Sequence, residues 1–154
     1  MAAYFFDSSA LMKRYANETG TTWVVSIFKP SLANRIYVAQ ITLVEVIAAL
    51  TRRTRSGRLK PASTAKGISR FRRAFYDLFR KIEITDALIE AAAVLAERHG
   101  LRGYDAVQLA AALWANLNRM AEGGTPIIFI SADTELNAAA QTEGLAVDNP
   151  NNHP

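Results

Sequence analysis

The stretch YFFDSSALMKRY, residues 4–15, joins an apolar run to a helix-like pattern through a single carboxylate. The three aromatic residues are typical of a strand buried in a core, and apolar residues at helical spacing begin at Ala10. Asp7, between the two, has a simple structural explanation, because aspartate accepts hydrogen bonds from unpaired N–H groups at a helix start. For an isolated residue of this kind, capping is the commoner role.

The alternation of apolar, strand-like runs with amphipathic helices continues along all 154 residues. Strands are predicted at 3–6, 35–40, 81–85, 126–131 and 145–149. Helices are predicted at 8–17, 20–29, 42–57, 61–80, 86–100, 105–119 and 133–144. Such alternation favours one α/β domain with a parallel sheet covered by helices on both faces. Ligands of these sheets bind at the carboxyl ends of the strands, so the strand-to-helix junctions are the places to seek chemistry.

Four of the fourteen acidic residues stand in apolar surroundings near predicted helix starts: Asp7, Glu45, Asp105 and Asp133. Each has a local explanation, since Thr42 and Glu45 match a capping box and each aspartate could cap a helix. If the four converge, however, their charges repel one another unless a cation neutralises them. Oxygen ligands alone suit Mg²⁺ or Mn²⁺ better than zinc.

The positive charge of the chain is concentrated in residues 52–81. This segment holds eleven basic residues and one acid, a net charge of +10, whereas the whole chain carries +4 and the remainder therefore −6. Such asymmetry indicates a polyanionic partner, most simply a nucleic acid, or else two helices with solvated basic faces. Arg52, Arg53 and Arg55 extend the helix of Glu45, and Arg53 lies about 12 Å from Glu45 along its axis. We expect these three arginines to contact the nucleic acid near the acids.

Several function classes are excluded by what the sequence lacks. There is no cysteine, so disulfides, thiolate metal sites and cysteine nucleophiles are ruled out. No dinucleotide-binding, P-loop or nucleophile-elbow motif is present, and neither serine of the first junction has a histidine beside it. The N-terminus has no signal-peptide pattern and no apolar run reaches membrane-spanning length. We expect a cytoplasmic protein with no membrane partner.

Four segments, in order, resemble the four motifs of PIN-domain ribonucleases, and most closely those of VapC-type toxins from toxin–antitoxin systems. They are YFFDSSALMKRY, TLVEVIAAL, LRGYDAVQLAAAL and IFISADTEL. The resemblance runs from residue 3 to about 148, and YDAVQLAAAL is its most specific part. It implies a single domain over residues 1–148, a short tail at 149–154, and a three-layer α/β/α fold with a mainly parallel central sheet.

The resemblance also implies site residues and partners. Asp7, Glu45, Asp105 and Asp133 match the family's catalytic, metal-binding acids. Ser9 and Ser131 match supporting positions beside the first and fourth acids. The implied activity is Mg²⁺- or Mn²⁺-dependent cleavage of RNA, by a homodimer that a cognate antitoxin inhibits.

Two other interpretations stay open at this point. In the first, the chain is a non-catalytic RNA- or partner-binding module of the same fold, and its acids only cap helices. In the second, it is a receiver-like signalling domain with a phosphoacceptor aspartate. That domain would need paired acids after the first strand, and FFDSS supplies only Asp7.

Overall fold

The computed structural model describes all residues from Met1 to Pro154. Five strands are present: β1 Ala3–Phe6, β2 Arg35–Ala39, β3 Arg80–Ile82, β4 Ile128–Ile130 and β5 Ala146–Asp148. The first four helices are α1 Ser8–Leu11, α2 Thr21–Ile27, α3 Thr42–Arg55 and α4 Pro61–Asp77. The remaining three are α5 Asp86–His99, α6 Gly103–Ala121 and α7 Thr134–Thr142. Every predicted strand and helix has a counterpart in the structure; most differ only at their ends, and the helix predicted over 8–17 is much shorter.

The five strands form one sheet in the order β3-β2-β1-β4-β5, and every neighbouring pair is parallel. β1 lies at the centre, where Phe5 pairs with Tyr37 on one side and Phe129 on the other. A central parallel strand is covered on both faces, which explains why its sequence is a continuous apolar run.

Successive residues of β1 point into two separate cores. Phe5 packs into a cluster with residues of α5, α6 and α7, whereas Phe6 packs with residues of α1, α2, α3 and α4. This follows from the two-residue period of a strand, whose side chains alternate between the faces of the sheet. The fold is therefore the expected three-layer α/β/α arrangement, and its sheet is entirely parallel. None of its helices is both long enough and apolar enough to cross a membrane.

The direction of strand addition reverses at β1, because β2 lies on one side of it and β4 on the other. Open parallel sheets bind ligands in the crevice at such a reversal, beyond the carboxyl ends of the strands. The backbone N–H of Asp7 donates to the carbonyl of Ile130 at 3.1 Å, which fixes the ends of β1 and β4 side by side. The fold thus places Asp7 and Ser131 at the same point.

The predicted helix over 8–17 differs most from the structure. The α-helix ends at Leu11, and a 3₁₀ turn follows at Met12–Arg14. The hydroxyl of Thr21 donates to the carbonyls of Lys13 and Ala16, at 2.8 and 3.2 Å, and so takes acceptors that a longer helix would use. The hydroxyl that takes these acceptors belongs to the first residue of α2, the next helix along the chain.

The last residues pack against the start of α2. His153 stacks on Trp23 with ring centroids 4.1 Å apart, and its Nε2 lies 2.8 Å from Oδ1 of Asp148. Pro150 is buried, and its carbonyl oxygen would clash with a Cβ at Gly20. Gly20 also has a φ of +86°, so both its conformation and its contact favour glycine.

We expect Gly20→Ala to reduce the free energy of unfolding by about 2–3 kcal/mol, because left-handed strain and the clash with Pro150 add together. Gly57→Ala is the matched control, since Gly57 has a φ of +76° but open space around it. That control should lose only about 1 kcal/mol, which is the strain alone. Urea unfolding measures the free energy of unfolding of both variants. Equal losses would show that the contact with Pro150 does not constrain Gly20.

Candidate active site

Asp7 lies at the carboxyl end of β1 with its carboxylate held by three groups. The Ser9 hydroxyl lies 2.8 and 2.9 Å from its two oxygens, the Ser131 hydroxyl donates at 2.9 Å, and the N–H of Ala10 donates at 3.0 Å. The side chain is only 2% exposed, and this burial raises its pKa to about 7 despite those hydrogen bonds. The nearby charge of Asp105 also raises it.

The two serines join the ends of β1 and β4. The Ser9 oxygen accepts the N–H of Ala132 at 3.0 Å, and the Ser131 oxygen accepts the N–H of Asp133 at 3.1 Å. Each hydroxyl is thus oriented by a backbone donor and donates in turn to Asp7. Ser9 and Ser131 therefore act as positioning residues for the Asp7 carboxylate.

Glu45 lies in the first turn of α3 and is held by a residue of α6. Nε2 of Gln108 donates to Oε1 of Glu45 at 2.6 Å and to the hydroxyl of Thr42 at 2.9 Å. Gln108 is fully buried, and its own Oε1 has no hydrogen-bond partner. Partial burial raises the pKa of Glu45, hydrogen bonding from Gln108 opposes the rise, and the charge of Asp105 adds to it.

Asp105 is electrostatically coupled to the other three acids. Its charge raises the pKa of both Asp7 and Glu45, so it lies within electrostatic reach of each. Its own pKa is raised by partial burial and then by the charge of Asp133, while the Arg102 guanidinium opposes the shift. The fold therefore brings the four sequence-predicted acids to one edge of the sheet.

The capping explanation holds for two of the four acids and fails for the others. Asp7 accepts the N–H of Ala10, and Oδ1 of Asp133 accepts the N–H groups of Glu135 and Leu136 at 2.9 and 3.1 Å. The capping box at Glu45 is wrong, because α3 has no side-chain cap and Glu45 is bound by Gln108 instead. Asp105 makes no cap either, since α6 begins two residues before it and has no side-chain cap.

The donor set fits a hard divalent cation. It consists of carboxylates alone, and burial, with the charge of a neighbouring acid, raises the pKa of Asp7, Glu45 and Asp105. The acids do not form a ready-made cage, because no three acidic or histidine side chains surround one point. A cage is not required for Mg²⁺, which keeps several waters and uses only one or two carboxylates.

The three arginines expected to contact RNA have different environments. Arg52 is exposed and lines a groove that reaches Glu45. Arg53 lines the same groove, but its Nη2 forms a 3.0 Å ion pair with Glu18, whose other oxygen binds Lys13 at 3.0 Å. Arg55 is exposed at the last turn of α3 and does not line the groove. Of these three arginines, only Arg52 is both free of an ion pair and beside the site.

Three further residues beside the acids were not predicted from the sequence: Gln108, Arg102 and Tyr104. Arg102 and Tyr104 line the groove that contains Glu45, and Gln108 is the buried ligand of that carboxylate. One available signal was the helical period, since Gln108 follows Asp105 by one turn and is polar among alanines. A residue of that kind on a buried face needs a polar partner nearby.

The PIN domain family model matches residues 4–141 of this chain. Ribonuclease VapC45 of Mycobacterium tuberculosis is 29% identical over 147 residues, which cover 96% of this chain and 95% of the relative. A toxin–antitoxin complex from Klebsiella pneumoniae is structurally similar, with a TM-score of 0.62, 20% identity, and coverage of 96% of this chain and 97% of that chain. FitAcB from Neisseria gonorrhoeae has a TM-score of 0.64 at 16% identity, with 96% and 97% coverage. These two structures support the fold.

Proposed function

The chain belongs to the PIN-domain family, and from that premise we propose that it is a metal-dependent endoribonuclease that hydrolyses RNA phosphodiester bonds. The observation that carries the proposal is that Glu45 and Asp105 have no capping role and yet lie, partly buried, among like charges. Such an arrangement costs stability, and a bound divalent cation would relieve that cost.

Asp7, Glu45, Asp105 and Asp133 are the residues proposed to hold Mg²⁺ or Mn²⁺. When bound, the ion supplies an activated water and stabilises the leaving oxygen of the phosphodiester. The chain's own contribution is positional: Ser9 and Ser131 fix Asp7, and Gln108 fixes Glu45. Asp133 keeps one oxygen on the helix N-terminus, which leaves its other oxygen available.

We further propose that the enzyme is the toxin of a VapBC-like pair, inhibited by a cognate antitoxin and assembled as a homodimer. The name Ribonuclease VapC45 supports the ribonuclease activity, and the Klebsiella pneumoniae structure, described as a toxin–antitoxin complex, supports the protein partner. Residues 1–148 are proposed to be the nuclease domain, with 149–154 as its docked tail.

The test is incubation of the purified chain with total cellular RNA. Discrete fragments should form with Mg²⁺, stop forming with EDTA and form again when Mn²⁺ is added in excess. Intact RNA under all metal conditions, or cleavage that EDTA leaves unchanged, would refute a metal-dependent ribonuclease. Sequencing the fragment ends then identifies the bond that is cut.

Arg52 and Arg53 should respond differently to replacement by alanine. We expect Arg52→Ala to weaken binding of single-stranded RNA and to reduce the slope of log affinity against log salt by about 0.7, which corresponds to one phosphate contact. Arg53→Ala should change the slope less, because Arg53 is already paired with Glu18. Filter binding at four salt concentrations measures the slopes, with Arg55→Ala as the control outside the groove. Identical slopes for Arg52→Ala and the unmodified chain would show that Arg52 is only a solvated side chain.

A further inference from the structure

A groove of about 730 Å³ runs beside the acids, between α3 and the start of α6. Ser8, Ser9 and Glu45 lie in it, so it opens onto the proposed reaction centre, and Arg52 and Arg53 line it further along α3. The groove therefore runs from the proposed reaction centre to two positively charged side chains.

The α3 wall of the groove follows from helical spacing. Val44, Ala48 and Arg52 are each four residues apart and form one stripe, and Glu45, Ala49 and Arg53 form the next. The alanines leave the middle of the wall free of long side chains. From Glu45 to Arg52 the axis rises about 10 Å, so a flat group can lie between the carboxylate and the guanidinium.

The α6 wall presents Arg102, at the N-cap of the helix, and Tyr104, immediately before Asp105. Tyr104 is 64% exposed, forms no aromatic pair, and its hydroxyl makes no intramolecular hydrogen bond. Val44, on the α3 wall, is similarly exposed, at 66%. An aromatic ring and an aliphatic side chain on the two walls of a groove, flanked by arginines, match the way single-stranded nucleic acids are bound: bases stack on aromatic rings and cations follow the backbone.

We propose that Tyr104 is the platform on which an unpaired base of the substrate stacks next to the scissile phosphate. This inference rests on the proposed ribonuclease function. Val44 covers the other side of the base, and Arg52 and Arg102 contact the flanking phosphates. A base inside a duplex is already stacked and paired, so it cannot enter the groove without leaving its helix.

The test uses the Asp105→Asn chain, which should bind RNA without cutting it, and an RNA nonamer that carries 2-aminopurine at its centre. The single-stranded nonamer should bind with quenched fluorescence, and Tyr104→Ala should weaken its affinity by roughly 5- to 150-fold and abolish the quenching. Tyr104→Phe and Tyr104→Trp should restore both, because each keeps an aromatic face. Tyr76→Ala is the matched control, since Tyr76 is 59% exposed on α4 outside the groove.

Unchanged affinity and quenching in Tyr104→Ala, or equal binding of the same nonamer within a duplex, would overturn the inference. The binding assay needs no cleavage, so it separates the two proposals. If the unmodified chain cuts RNA while Tyr104→Ala binds the nonamer normally, the stacking role fails and the ribonuclease function stands. If the unmodified chain cuts no RNA with any metal, the ribonuclease function fails whatever Tyr104 does.

Discussion

Asp105→Asn is expected to slow RNA cleavage by about a thousandfold or more, which corresponds to a loss of roughly 4 kcal/mol of transition-state stabilisation. The reason is that Asp105 is electrostatically coupled to the other three acids. Its charge raises the pKa of Asp7 and Glu45, and the charge of Asp133 raises the pKa of Asp105. Asparagine keeps the shape of the side chain and removes the charge. Single-turnover cleavage with saturating Mg²⁺ measures the effect on the chemical step.

Glu135→Gln is the matched control for that experiment. Glu135 is an exposed acid at the start of α7 whose charge also reaches Asp105, but it is not among the proposed ligands. Its replacement should change the rate by only a few fold. If Asp105→Asn cleaves nearly as fast as the unmodified chain, or if both variants lose the same factor, Asp105 has no specific role in the reaction.

Asp7→Asn is expected to make the metal-free protein more stable at pH 8, by an amount of order 4 kcal/mol. Burial raises the pKa of Asp7 to about 7 in the folded chain, so between about pH 4 and pH 7 the folded state keeps a proton that the unfolded state has released. The free energy of unfolding of the unmodified chain should therefore fall as the pH rises through that window. Asparagine carries no charge and should remove this dependence.

The measurement is urea unfolding of both chains in EDTA at pH 5 and pH 8. The curves should lie closer together at pH 5, where Asp7 is protonated in the folded state. Asp7→Ala provides the second comparison, because alanine cannot accept the N–H of Ala10 and should lose about 1 kcal/mol relative to asparagine. If Asp7→Asn is less stable than the unmodified chain at both pH values, Asp7 acts as a charged cap and not as a destabilising buried carboxylate.

The order of strands and helices was predictable because each element carries its own pattern. The apolar run before Asp7 and the PIIFIS segment are continuous because their strands are covered on both faces. The strand-to-helix junctions likewise indicated Asp7 and Asp133 as site candidates. The hydrophobic period of a segment reflects which of its faces are buried. The type and order of the strands and helices depend on that burial, so they could be predicted from the sequence.

Pairings between distant residues were not predictable in the same way. The Gln108 contact with Glu45 joins residues 63 positions apart, and the Arg53 contact with Glu18 joins residues 35 positions apart. Helix propensity gives no information on either contact, since both depend on how α3 packs against other elements. The same limit explains why the capping box predicted at Glu45 is wrong. The local pattern matched, but the Glu45 carboxylate accepts a hydrogen bond from Gln108, a residue distant in sequence.

Binding of Mn²⁺, measured by isothermal titration calorimetry, tests most directly the claim that these acids form one cation site. The unmodified chain should bind Mn²⁺ saturably, and Asp7→Asn and Asp105→Asn should each weaken binding severely, while Glu135→Gln keeps it. A hundredfold excess over the dissociation constant should also raise the free energy of unfolding of the unmodified chain by about 2.7 kcal/mol. Absence of binding to the unmodified chain, or equal affinity in all four proteins, would show that these acids do not form a cation site.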